Sequence, residues 1–159
     1  MTAHVLILGV GNPMMGDDGV GTAVVDRLIG TGLPAGVRAV AGLDVFTLPQ
    51  VWNSERNVWI VDAMMRGGTP GTIHHLSHAE ILALPPHATS AHHVSLAEGL
   101  RWICHTFPRM AALSFRLWGV EPARVAPPQG LSDTISNSAH IVSDEILKAL
   151  DESRQISCD

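Results

Sequence analysis

Val5-Leu6-Ile7-Leu8, closed at once by Gly9 and Gly11, is an unbroken apolar run of strand length. A strand that is buried on one face alternates apolar with polar residues. A continuous run suits a strand covered on both faces, as in a parallel sheet. A loop then carries the chain from Gly9 to Asp18. After it Val20, Ala23, Val24 and Leu28 recur at helical spacing, and Gly30 and Gly32 punctuate the end. The opening thus reads strand, loop, helix.

Working outward, Val37 to Ala41 fits a short second strand. Residues 44–53 suit a short helix, although Pro49 counts against it. Val58-Trp59-Ile60-Val61 is a second strand of the doubly buried kind and ends at Asp62. A turn rich in Gly and Pro runs from Gly67 to Gly71, and Thr72 to Leu76 fits a further strand. Leu96, Leu100, Ile103 and Phe107 share one face of a helix expected over Val94–Thr106. Phe115 to Val120 reads as the last strand. Ile135, Ala139, Val142, Ile146 and Ala149 stripe the last helix. Strands alternating with helices predict an α/β three-layer sandwich, built as a single domain over residues 1–159.

The chain has 159 residues, enough to bury a core without staples. Its formal charge of −5, with ten Lys and Arg, lacks the basic footprint of a nucleic-acid binder, and no basic run suggests a membrane patch. The two cysteines, Cys104 and Cys158, form no CxxC pair and no disulfide framework. The N-terminus has no basic leader region, and its apolar run is far shorter than a membrane span, so a cytoplasmic location is expected.

Ligands of open α/β sheets bind beyond the carboxyl ends of the strands. Asp17 and Asp18 lie on the loop after the first strand, and Asp62 ends the Val58–Val61 run. If those strands are parallel neighbours, the acids share one crevice, and paired carboxylates call for a cation or a raised pKa. His92, in Thr89-Ser90-Ala91-His92-His93, is the candidate nitrogen ligand. Two carboxylates and one imidazole suit a divalent transition ion with positions left open. Each residue also has a structural reading. Asp18 can N-cap the helix that follows it, Asp62 can be held by amides of the next turn, and His93 is chemically as good as His92. His74, His75, His78 and His87 match no ligand template. His74 and His75 would face opposite sides of a strand, so these four read as solvated surface.

Other chemistries find less support. Gly9-Val10-Gly11 lacks the third glycine of a dinucleotide fingerprint, since position 14 is Met14, and Asp17 and Asp18 would oppose a phosphate. There is no P-loop, no HExxH and no GxSxG elbow. Cys104 sits within an apolar-striped helix and reads as structural.

The stretch Gly9-Val10-Gly11-Asn12-Pro13-Met14-Met15-Gly16-Asp17-Asp18-Gly19-Val20-Gly21 resembles the opening motif of the nickel-iron hydrogenase maturation peptidases. Val61-Asp62-Ala63 with Pro70-Gly71-Thr72 is similar to their second motif, and Ser90-Ala91-His92 to their third. Trp118-Gly119-Val120-Glu121-Pro122 and Leu131-Ser132 resemble their C-terminal pattern. The likeness runs from about Val5 to Leu150, with order and spacing kept.

The resemblance implies a mixed, mostly parallel central sheet. It implies an endopeptidase that removes the C-terminal extension of a hydrogenase large-subunit precursor after nickel insertion, with nickel supplied by the substrate. The family's metal-contacting positions fall on Asp18, Asp62 and His92, which separates His92 from His93. The general base is left open between Asp17, Asp18 and water activated by the metal. Three departures stand out. Asp18 replaces a Glu found in some members, Ala91 replaces a common proline, and Ala41-Gly42-Leu43-Asp44 keeps little of a glycine- and threonine-rich motif associated with substrate choice. The competing functions are a non-catalytic metal-recognising chaperone, a dinucleotide enzyme and a purely structural domain.

Overall fold

The computed structural model describes residues 5–85 and 95–156. Its centre is a five-stranded sheet in the order β2-β1-β3-β5-β4. These are β1 (Val5–Val10), β2 (Val37–Gly42), β3 (Asn57–Ala63), β4 (Ile73–Leu76) and β5 (Ser114–Val120). All neighbours run parallel except the edge strand β4, which is antiparallel to β5. The short connection between β3 and β4 cannot span a parallel crossover, which needs a dozen or more residues. It passes the end of β5 and turns back along its outer edge.

The expected three-layer α/β/α sandwich with a mixed, mostly parallel sheet is what forms. Side chains of β1 alternate between two cores, as a period of two requires. Leu6, Leu8 and Val10 enter one with Leu96, Leu100 and Ile103 of α4 (Leu96–Thr106). Val5 and Ile7 enter the other with Val24 and Leu28 of α1 (Val20–Thr31) and Val142 and Ile146 of α5 (Asp133–Ile156). That double burial is why the opening run carries no polar residue.

Several boundaries moved. Residues 44–53 hold a 3-10 turn, Val45–Thr47, leading into α2 (Leu48–Val51). Pro49 is tolerated because it lies in the first turn, where its missing N–H has no partner to lose. In α1, Val25 is buried and Ala23 only half-buried. Among the described residues α4 begins at Leu96. Ser95 caps it, accepting from the amide of Glu98 while Glu98 returns the bond, a capping box. Phe107 lies at the exposed end of α4 and stacks edge-on against Trp102 instead of entering the core. A second capping box, Ser77 with Glu80, starts the short α3 (His78–Leu82), which the apolar pattern gave no sign of. No helix among the described residues is long and apolar enough to cross a membrane.

Candidate functional site

The carboxyl ends of β1 and β3 lie side by side, with Gly9 opposite Val61. The strand adjacency on which a shared crevice depends is therefore present. β3 runs one residue past Asp62, which pairs in register with Gly119 of β5. From β1 the chain enters a 3-10 segment, Pro13–Gly19, capped by the Asn12 side chain and broken at Met15 and Gly16. This kink folds the chain back over the strand end. Gly11, at φ +132°, lies against the Asp18 backbone. Close approach of α1 to the strands needs Gly21, where a Cβ would meet the Val61 carbonyl oxygen at 2.6 Å.

Asp18 is buried at 4% exposure, and its Oδ2 accepts from the Asn12 amide at 2.7 Å. It does not cap α1: Gly19 occupies the cap position without a side-chain bond. Asp62 is half-buried. Burial first, and then the charge of Asp18, push its carboxyl well above the usual carboxylate range. A hydrogen bond from the Ala63 amide pulls only weakly against them. Asp18 and Asp62 thus come together and oppose one another electrostatically. His92 and its neighbour His93 lie outside the described residues, as does His87. No group of three or more metal-ligating side chains forms among the described residues.

Asp17 behaves differently from the candidate base of the sequence reading. It is fully buried, and its carboxylate accepts from the amides of Ala123 (3.0 Å), Arg124 (2.8 Å) and Ser132 (2.7 Å) and from the Ser132 hydroxyl (3.0 Å). A carboxylate so engaged is a latch between the first loop and the start of α5. Glu121 has a similar part. It accepts from the amides of Arg66 (2.9 Å) and Gly67 (3.0 Å) and pairs with His74 Nε2 (2.9 Å). Burial raises the Glu121 carboxyl, but His74 and the backbone amides outweigh it and leave its pKa lowered. It pins the loop that leaves Asp62.

The reading of His74, His75 and His78 as solvated surface needs correction. His74 is held by Glu121, and His78 Nδ1 accepts the Phe115 amide (3.1 Å) while its ring stacks on Phe115. Only His75 is largely exposed, and it pairs with Glu145 at 2.7 Å. His74 and His75 do face opposite partners, as strand alternation requires. Cys104 is half-buried and burial raises its thiol pKa, in keeping with a structural role.

The family model described as HycI, hydrogenase maturation protease, matches residues 37–149. The chain belongs to the hydrogenase maturation protease family. The hydrogenase 2 maturation protease of Escherichia coli K12 is 31% identical over 158 residues, spanning 94% of this chain and 92% of that protein. The [NiFe] hydrogenase maturation protease HybD from Thermococcus kodakarensis superposes with a TM-score of 0.78 at 26% identity, covering 92% of this chain and 98% of that one. The E. coli hydrogenase maturating endopeptidase HybD gives 0.75 at 29% identity, covering 94% and 93%. Within this family, the C-terminal motif residues gain physical reasons here. Ser132 serves the Asp17 latch and Glu121 the loop after β3. Gly119 makes room for Met64, whose Sδ would lie 2.6 Å from an added Cβ.

Proposed function

We propose that this chain is the cytoplasmic endopeptidase that trims the C-terminal extension from a nickel-iron hydrogenase large-subunit precursor once nickel has been inserted. The observation that carries this reading is the pairing of Asp18 and Asp62 at the carboxyl edge of the sheet, where burial and mutual repulsion disfavour two negative charges. A divalent cation brought by the substrate would relieve that repulsion.

We assign His92 as the third ligand. Asp62 alternates with Val61 and so shares the sheet face of Ile60, which packs with α4. α4 leads through Pro108–Met110 into the start of β5, so its capped beginning at Ser95 lies at the same edge as Asp62. Two carboxylates with one imidazole form an oxygen- and nitrogen-donor set that fits nickel and leaves room for the precursor's own ligands.

Nickel in this position would supply Lewis acidity towards the scissile carbonyl. The chain does the rest. Asp18 and Asp62 fix the precursor's metal centre against the crevice. Asp17 holds the loop that carries Asp18, and Glu121 holds the loop that leaves Asp62. Asp17 is the weaker candidate for general base, because its carboxylate is already engaged by backbone and hydroxyl donors. Dependence on a metal held by the substrate would make the enzyme blind to generic peptides.

The test is cleavage of the cognate precursor, nickel-loaded and nickel-free, by the wild-type protein and by His92→Ala. Cleavage of the loaded form alone, abolished in the variant, is expected. Equal cleavage of both precursors would end the nickel reading. Tight binding without any cleavage would mark a metal-recognising chaperone instead.

A further inference from the structure

On the sheet face opposite Asp62, Trp59 of β3 and Arg116 and Trp118 of β5 form a stack. The Arg116 guanidinium lies 4.4 Å from the Trp118 ring centre and 5.3 Å from that of Trp59. Both indoles are buried, at 0% and 7% exposure, while Arg116 is exposed. Two aromatic faces therefore hold the guanidinium plane in place. Arg116 makes no hydrogen bond or ion pair with any described residue. Glu145 and Glu152 line a neighbouring cleft with Arg116, and Glu145 Oε2 is engaged by His75 Nε2 at 2.7 Å and Trp118 Nε1 at 3.1 Å.

Arg116 lines a cleft of about 450 Å³ with Trp59, His75, His78 and Ser114. His78 adds a second donor. Its Nδ1 accepts the Phe115 amide, so a neutral ring carries its proton on Nε2. That N–H has no acceptor among the described residues. Leu76 and Phe115 give the cleft apolar wall. Its volume falls in the range of small-ligand sites, which combine apolar walls with a few fixed polar groups.

We infer that this cleft is a binding site for a carboxylate carried on an apolar body, received by the Arg116 fork. A guanidinium packed against two aromatic rings, with its N–H groups unspent on any described residue, can meet the two oxygens of a carboxylate in bidentate geometry. Two sources share that chemistry: the free C-terminus of a peptide and a small apolar acid. The site is separate from Asp18 and Asp62 and does not rest on the peptidase reading. The alternative is that Arg116 merely roofs the two tryptophans beside α5. That role requires no ligand.

Chemical-shift titration of the full chain separates these, following the indole N–H of Trp118 and the Nε–H of Arg116. The probes are a short apolar peptide with a free C-terminus, the same peptide amidated, and phenylacetate. Saturable shifts with the free acids, absent with the amide, are expected. Tighter binding of the peptide identifies a chain terminus as the source, and tighter binding of phenylacetate a small acid. Arg116→Gln should weaken binding at least about tenfold, and Arg116→Lys, which keeps the charge and loses the fork, should fall between. Absence of a saturable shift with every probe would overturn the inference. So would equal affinity for acid and amide, or undiminished binding in a folded Arg116→Gln protein.

Discussion

Two kinds of acid sit within one edge of this sheet. Asp17 and Glu121 are surrounded by donors from distant backbone, and their charges hold loops in place. Asp62 is desolvated and faces the charge of Asp18. The first kind stabilises the fold. The second sets stability aside for a site that favours an incoming cation. The comparison teaches that burial of a carboxylate says little until its partners are known.

The comparison can be broken most sharply by activity. Asp62→Ala or His92→Ala should lower cleavage of nickel-loaded precursor by about a hundredfold or more, measured in single-turnover assays. Retained activity would remove the functional half of the contrast. Asp17→Ala should destabilise by about 2–4 kcal/mol in chemical denaturation, because buried amides lose a charged acceptor. A change below about 0.5 kcal/mol would show that the latch holds nothing.

Glu121 and Asp62 should also differ in the sign of their pH dependence. The folded pKa of Glu121 is lowered, so its contribution is full above the unfolded value of about 4.3 and is lost as pH falls through the folded value. Glu121→Gln should therefore flatten the acid limb of a stability–pH curve. The folded pKa of Asp62 is raised, so the folded chain holds a proton the unfolded chain has released, and stability declines as pH rises above about 4. Asp62→Asn should remove that decline and raise Tm by about 2–4 °C near neutral pH while abolishing cleavage. A fall in Tm would place Asp62 with the stabilising acids. The smallest effect expected is about 1 kcal/mol lost in Ser95→Ala, from the cap of α4.

The fold was legible because doubly buried strands write continuous apolar runs: Val5 to Leu8 and Val58 to Val61 each announce a covered strand. Asp18 and Asp62 were legible as candidates, since each follows or ends such a run. Their meeting was not, because it depends on β1 lying beside β3, and an apolar run carries no record of its neighbour. The duties of Asp17 and Glu121 were hidden for a related reason, as their partners are remote in sequence. His74 and His78 were misread because a histidine bonded to a distant amide or carboxylate has no local signature. α3 did have one, the Ser77–Glu80 capping box, but too few apolar residues follow it to mark a helix by period.

The Asp17 latch has a consequence for how the protein is made. Residue 17 leaves the ribosome before the donors that hold it, and the last of them, on Ser132, follows 115 positions later. Until that stretch emerges, the first loop can be synthesised but not closed, and a nascent chain carries a carboxylate with its lasting partners still unborn. Completion of the crevice is therefore a late event in synthesis, and a chain cut short before Ser132 would present the recognisable opening motif without a finished site.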